Sequence, residues 1–108
     1  MAITRGTTPL IAFTLPIEIT KEEIKEAILT VSQEKRRIVD KKLNANELVV
    51  DNETATIAGK LTQMDTLLLS ADKIAEVQIR FADKNNEAYA TDIITYNVYD
   101  VLYEGVIG

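Results

Sequence analysis

The chain contains neither cysteine nor histidine, and these two absences remove most of the familiar catalytic machinery. Without cysteine there is no disulfide scaffold, no thiolate nucleophile and no thiolate ligand for zinc or iron–sulfur clusters. Without histidine there is no Ser-His-Asp or Cys-His system, no imidazole general acid or base and no imidazole metal ligand. Glycine is scarce too. The four present, Gly6, Gly59, Gly105 and Gly108, form no phosphate-cradling loop. Tryptophan is missing, which removes the best flat platform for a sugar ring.

No stretch approaches the roughly 20 apolar residues of a membrane-spanning helix. The opening Met1-Ala2-Ile3-Thr4-Arg5-Gly6 lacks the basic-then-apolar order of a signal peptide. The expectation is a protein made and folded in the cytoplasm, with no membrane partner. A net charge of −5 repels nucleic acid, and the one local cluster of cations, Lys35, Arg36, Arg37, Lys41 and Lys42, has no aromatic residue interleaved for base stacking. These five read as a solvated turn, and no nucleic-acid partner is expected.

What the chain does contain is globular. With 46% hydrophobic and 27% charged residues it lies far from the disordered regime, and 108 residues without a linker, repeat or low-complexity stretch fit one domain over residues 1–108. Alternation of polarity dominates. Between Ile74 and Ala82, Val77, Ile79 and Phe81 fall on one side and Glu76, Gln78 and Arg80 on the other, as a strand with one wet face requires. The same period places Ile11, Phe13 and Leu15 together in 10–15, Ala27, Leu29 and Val31 together in 27–33, and Ala55, Ile57 and Leu61 together in 55–61. Shorter strands are expected over 38–43 and 48–50. The final segment, 88–102, is too long for an ordinary strand and loses phase at Ile93-Ile94, which predicts a bulge or bend.

Turns are expected at residues 34–37, 51–53 and 83–86, the last two rich in Asp and Asn. Two interruptions carry helix-start signals. Thr20 can cap a turn beginning at Lys21 and closed by Glu23, with Ile19 and Ile24 at the staple positions; Thr62-Gln63-Met64-Asp65 repeats the signal more weakly. About seven strands with two short helical crossovers predict an all-β, immunoglobulin-like antiparallel β-sandwich.

Carboxylates are the only chemistry left for an active or metal site. Asp83, Asn85 and Glu87 have the alternate spacing of calcium-loop oxygens, but the loop lacks the turn glycine and contains Lys84. It reads as a hairpin tip. Asp92, inside the last strand, reads as a wet-face or bulge residue. No catalytic residue, metal or cofactor is therefore expected, and the chain is not expected to be an enzyme. All four tyrosines, Tyr89, Tyr96, Tyr99 and Tyr103, lie in the final segment. Tyrosine supplies rigid contact area at low entropic cost, so Tyr96, Tyr99 and Tyr103 are the candidate protein-interface residues, on a last strand expected to form a working edge. The tail 103–108 is apolar enough to pack on this domain or a neighbour.

Several short segments carry a resemblance. Ile3-Thr4-Arg5-Gly6-Thr7-Thr8-Pro9, Phe13-Thr14-Leu15-Pro16, Leu61-Thr62-Gln63-Met64-Asp65-Thr66-Leu67, Glu76-Val77-Gln78-Ile79-Arg80, Ala90-Thr91-Asp92-Ile93-Ile94, and Val101-Leu102 followed by Gly105-Val106-Ile107 occur in this order. The series resembles small prophage proteins encoded among tail genes of Gram-positive bacteria. More distantly it is similar to the N-terminal immunoglobulin-like domain of phage baseplate upper proteins. Met64 stands where these relatives usually carry an acid. The resemblance implies a virion structural protein that acts by protein–protein assembly, with other tail or baseplate proteins or further copies of itself as partners, present in the host cytoplasm during assembly and then in the virion. The alternative expectation is a small adhesion or carbohydrate-binding sandwich.

Overall fold

A computed structural model describes all 108 residues. It is an all-β sandwich of two sheets. The strands are β1 (Ala2–Thr4), β2 (Leu10–Thr14), β3 (Ile24–Gln33), β4 (Arg36–Lys42), β5 (Leu48–Asp51), β6 (Thr56–Lys60), β7 (Ala75–Asp83), β8 (Ala88–Ala90) and β9 (Ile94–Tyr99), with one short helix, α1 (Gln63–Leu67). The larger sheet has the order β1-β9-β7-β3-β4, with β8 also on β7; the smaller has the order β2-β6-β5. This interlocked order, with consecutive strands crossing between sheets at β1–β2, β2–β3, β4–β5 and β6–β7, is immunoglobulin-like. All pairs are antiparallel except β1 with β9, which is parallel and aligns Ile3 with Val98.

The alternating faces meet in the middle. Ile11, Phe13, Val50 and Ile57 from the small sheet close on Leu29, Val31, Val77, Ile79 and Phe81 from the large one, within a single cluster of 20 buried apolar residues. Each such side chain contributes roughly 1.5–3 kcal/mol by leaving water. Gly59 leaves room for its neighbours: a Cβ there would lie 2.6 Å from a methyl of Leu48, its partner on β5, and 3.4 Å from a Leu29 methyl of the facing sheet. No helix is long and apolar enough to cross a membrane.

The expected long last strand is two strands. β8 and β9 pair with successive parts of the same edge of β7, opposite Arg80–Ala82 and Ala75–Val77 respectively, and residues 91–93 step between them. Thr91 bridges the step. Its hydroxyl accepts from the Ile79 amide (3.1 Å) and its own amide donates to the Ile79 carbonyl (2.9 Å), so the ladder is maintained without a regular strand. The phase loss read at Ile93-Ile94 is the downstream end of this step. Asp92 is exposed there, as the wet-face reading has it.

Three local expectations need correction. The final strand is not a free edge, because β1, too short to show an alternation, covers β9. Ala55 is not a core residue: it is exposed at φ 53°, in the β5–β6 turn, and the inward row is Ile57, Gly59 and Leu61. The first hairpin turns on Glu34 and Lys35 alone, both at positive φ (51° and 66°), which leaves Arg36 and Arg37 inside β4. Two successive left-handed residues give the twist that a two-residue hairpin needs.

Candidate protein-interaction surface

One end of the sandwich is assembled from three separated segments: the turn after β1, the helix α1 and the chain after β9. Arg5 joins them. Its guanidinium reaches Asp100 and Glu104 (both 2.6 Å) and donates to the Leu67 carbonyl (3.0 Å), with the side chain only 14% exposed. Gly6 follows at φ +77°, the left-handed conformation that turns the chain away toward β2.

Almost every residue of the Leu61–Leu67 segment has a structural partner here. Leu61 is in the core. Thr62 and Asp65 form a reciprocal capping box, Asp65 N–H donating to the Thr62 hydroxyl (3.1 Å) and Thr62 N–H to the Asp65 carboxylate (2.8 Å). The helix expected to be the weaker of the two is the longer and the better capped, since the turn after Thr20 is a single 3₁₀ turn over Lys21–Glu23. Thr66 is fully buried and its hydroxyl donates to the Thr7 carbonyl (2.8 Å). Gln63 holds the tail by two bonds, its amide group donating to the Ile107 carbonyl (2.9 Å) and accepting from the Ile107 amide (2.8 Å). Met64 points to solvent and leaves the box intact.

Lys41 belongs to this end as well. It does not lie on a solvated turn with its basic neighbours: two positions beyond Val39 on the inner face of β4, its ammonium meets Asp65 (2.7 Å) and Glu47 (3.6 Å), with 11% of the side chain exposed. Burial pushes the Asp65 carboxyl up, but the Lys41 ammonium and the Thr62 amide outweigh it and hold Asp65 below the usual carboxylate range.

These bonds fix a backbone whose apolar side chains face outward. Met64 of α1 and Leu68, just past its end, are exposed, and so are Leu102, Tyr103, Val106 and Ile107 of the segment after β9. Val106 and Met64 line one shallow depression together with Thr8 and Lys60.

The tyrosines divide. Tyr103 is at this end, its ring close over Gly105, and Tyr99 is exposed on the outer face of β9 next to Thr4. Tyr96 is a core residue at 8% exposure, paired opposite Ala75, and burial pushes its phenol up; its ring packs the interior and presents no contact surface. Tyr89 is half-buried and stacks on Phe81 with centroids 5.3 Å apart. Asp83 spends its carboxylate on its own turn, accepting from the Asn85 and Glu87 amides (2.9 and 3.0 Å).

A second concavity of about 400 Å³ lies on the outer face of the large sheet, around Ile28 and Thr30. Lys42 and Arg80 stand opposite Ile28 on its two neighbouring strands, and neither has an acidic partner.

Sequence reasoning missed Arg5, Gln63 and Lys41. Only Lys41 left a signal, since strand alternation puts it in phase with Val39. Comparison with family models, curated proteins and solved structures finds no match to this chain.

Proposed function

We propose that this chain is a phage or prophage virion structural protein, a tail or baseplate accessory module that acts by protein–protein assembly. One observation carries the proposal: Arg5, Gln63 and the capped α1 immobilise a segment that then displays Met64, Leu68, Leu102, Tyr103, Val106 and Ile107 to solvent. Ordering a segment outside any strand has an entropic cost, and several exposed apolar side chains on a backbone fixed in this way are a mark of a contact surface. The order of short segments that resembles prophage tail-region proteins supplies the virion context; the geometry supports assembly in general. The test is capture of co-encoded tail and baseplate proteins by the tagged chain. Wild type is expected to retain a partner, and Leu68→Lys combined with Val106→Asp to weaken that capture at least about tenfold while the fold persists. Capture that is indifferent to these substitutions overturns the assignment of this end.

The adhesion reading finds support in the Ile28 groove, whose mixed lining of Lys42 and Arg80 with Glu26 and Asp40 offers donors and acceptors to sugar hydroxyls. Binding on a glycan array that is lost on Arg80→Ala would favour it over assembly.

A further inference from the structure

The small sheet ends on β2, and its outer edge is built unlike every other edge of the molecule. β2 pairs with β6 in a register that matches Ile11 with Gly59 and Phe13 with Ile57. Pro9 accepts from Leu61 and Leu15 donates to Ala55 at either end of that ladder, so the odd-numbered residues are the ones bonded to β6. Antiparallel alternation then turns the N–H and C=O groups of Leu10, Ala12 and Thr14 to the open side. All three are exposed, and none of their backbone or side-chain groups has a partner.

Edges are normally protected by charge, bulges, proline or brevity. β4 has five charged residues in seven and a bulge opposite Ser32; β1 and β8 are three residues long; β5 offers four residues ending in Asp51. β2, Leu-Ile-Ala-Phe-Thr, has five residues, no charge and no register shift. Proline stands only outside it, at Pro9 and Pro16, and Pro16, having no N–H, ends the usable ladder after Thr14.

We infer that β2 pairs with the β2 of a second copy of this chain, antiparallel about a two-fold axis through Ala12. The register is self-complementary. With Ala12 opposite Ala12 of the copy, Leu10 falls opposite Thr14 at both ends, and these three pairs are the ones whose amides and carbonyls face outward, so every open group of the edge finds a partner. No charge meets its like across the seam. The two small sheets become one continuous sheet of twice the width, whose outer face brings together Leu10, Ala12, Val49 and Ala58 of both copies.

The inference rests on the reading of the chain as an assembly module, but it uses the open backbone edge of β2 and none of the side chains assigned to the α1 and tail surface, and the two fail separately. Light scattering over a dilution series is expected to show a reversible species of twice the 12.0 kDa monomer mass at high concentration. Ala12→Lys alone and Ala12→Glu alone each place like charges at the axis and are expected to weaken the dimer at least about tenfold. An equimolar mixture of the two restores it. Val49→Lys, on the same face but off the edge, leaves it intact. A wild-type monomer at all concentrations overturns the pairing, even if it still captures a tail protein; a dimer that survives Ala12→Lys, or a mixture that stays monomeric, overturns the register.

Discussion

The two outermost long strands, β4 of the large sheet and β2 of the small one, present opposite solutions to the same problem. β4 is crowded with charge, bends at a bulge, and spends its one inward cation on Asp65 across the gap between the layers. β2 is unbroken in register and uncharged over its five residues. The difference teaches that edge protection in this domain is selective: the strand joined by an ion pair to the capped helix is closed to further pairing, and the strand beyond the small sheet is left available.

The largest effect is expected on the closed side. Lys41→Ala leaves the Asp65 carboxylate mostly enclosed without its cation, and urea unfolding is expected to show a loss of about 2 kcal/mol, tempered by the residual exposure of the pair. A loss below about 0.5 kcal/mol, the usual size for a surface substitution, would erase the contrast between the edges. The same pair makes an acid-side prediction. Because Asp65 is depressed in the folded state, its contribution is complete above the unfolded carboxylate value of about 4 and is lost as pH falls through the lower folded value. Asp100, held down by the Val101 amide and Arg5, and Glu22, held down by its own amide and Asn52, act in the same direction. Thermal melts from pH 7 to pH 3 are expected to fall at the acid end, and Asp65→Asn to flatten part of that fall.

An intermediate effect is expected at the tail. Gln63→Ala removes both bonds to Ile107, at a cost of about 1 kcal/mol or less, and faster hydrogen exchange at the Ile107 amide is the direct readout. The smallest effect on stability belongs to the open side. Ala12→Lys, at an exposed position, is expected to leave the monomer within about 0.5 kcal/mol of wild type although it weakens pairing; a larger loss would mean that β2 is already covered.

The strands that were legible in the sequence are those whose partners enforce strict alternation. β3 and β7 pair over most of their lengths and bury one face each, so Ala27, Leu29 and Val31, and Val77, Ile79 and Phe81, announce themselves. β1 left no such trace, because three residues carry no period and its partner lies more than 90 positions away. The final segment signalled its break but not its repair: nothing local says that the Thr91 hydroxyl will take over an amide of β7. Tyr96 lies in phase with Val98 and so with the core; grouping it with the other tyrosines by residue type concealed this.

The interaction surface was less legible for a related reason. Arg5, Leu67, Asp100 and Glu104 come together only when two strands and a helix have been placed, and the Leu61–Leu67 segment, quoted above for its resemblance, proves to be a set of joints: cap, clamp and ion-pair acceptor. Its residues are spoken for by the fold, and what they expose is decided by where the tail is tied.

The parallel pairing of β1 with β9 has a mechanical consequence. Met1 lies at one end of that short ladder and the chain leaves Tyr99 at the other, so tension applied between these points runs along the strands and loads the inter-strand bonds in shear, together and not in succession. Single-molecule pulling through residues 1 and 99 is expected to require more force than pulling through residues 35 and 99, which lie at the same end of the sheet, so that β3 is peeled from β7 one bond at a time. A domain with its load-bearing bonds set in this direction can transmit a pull along these two strands before its own core is disturbed.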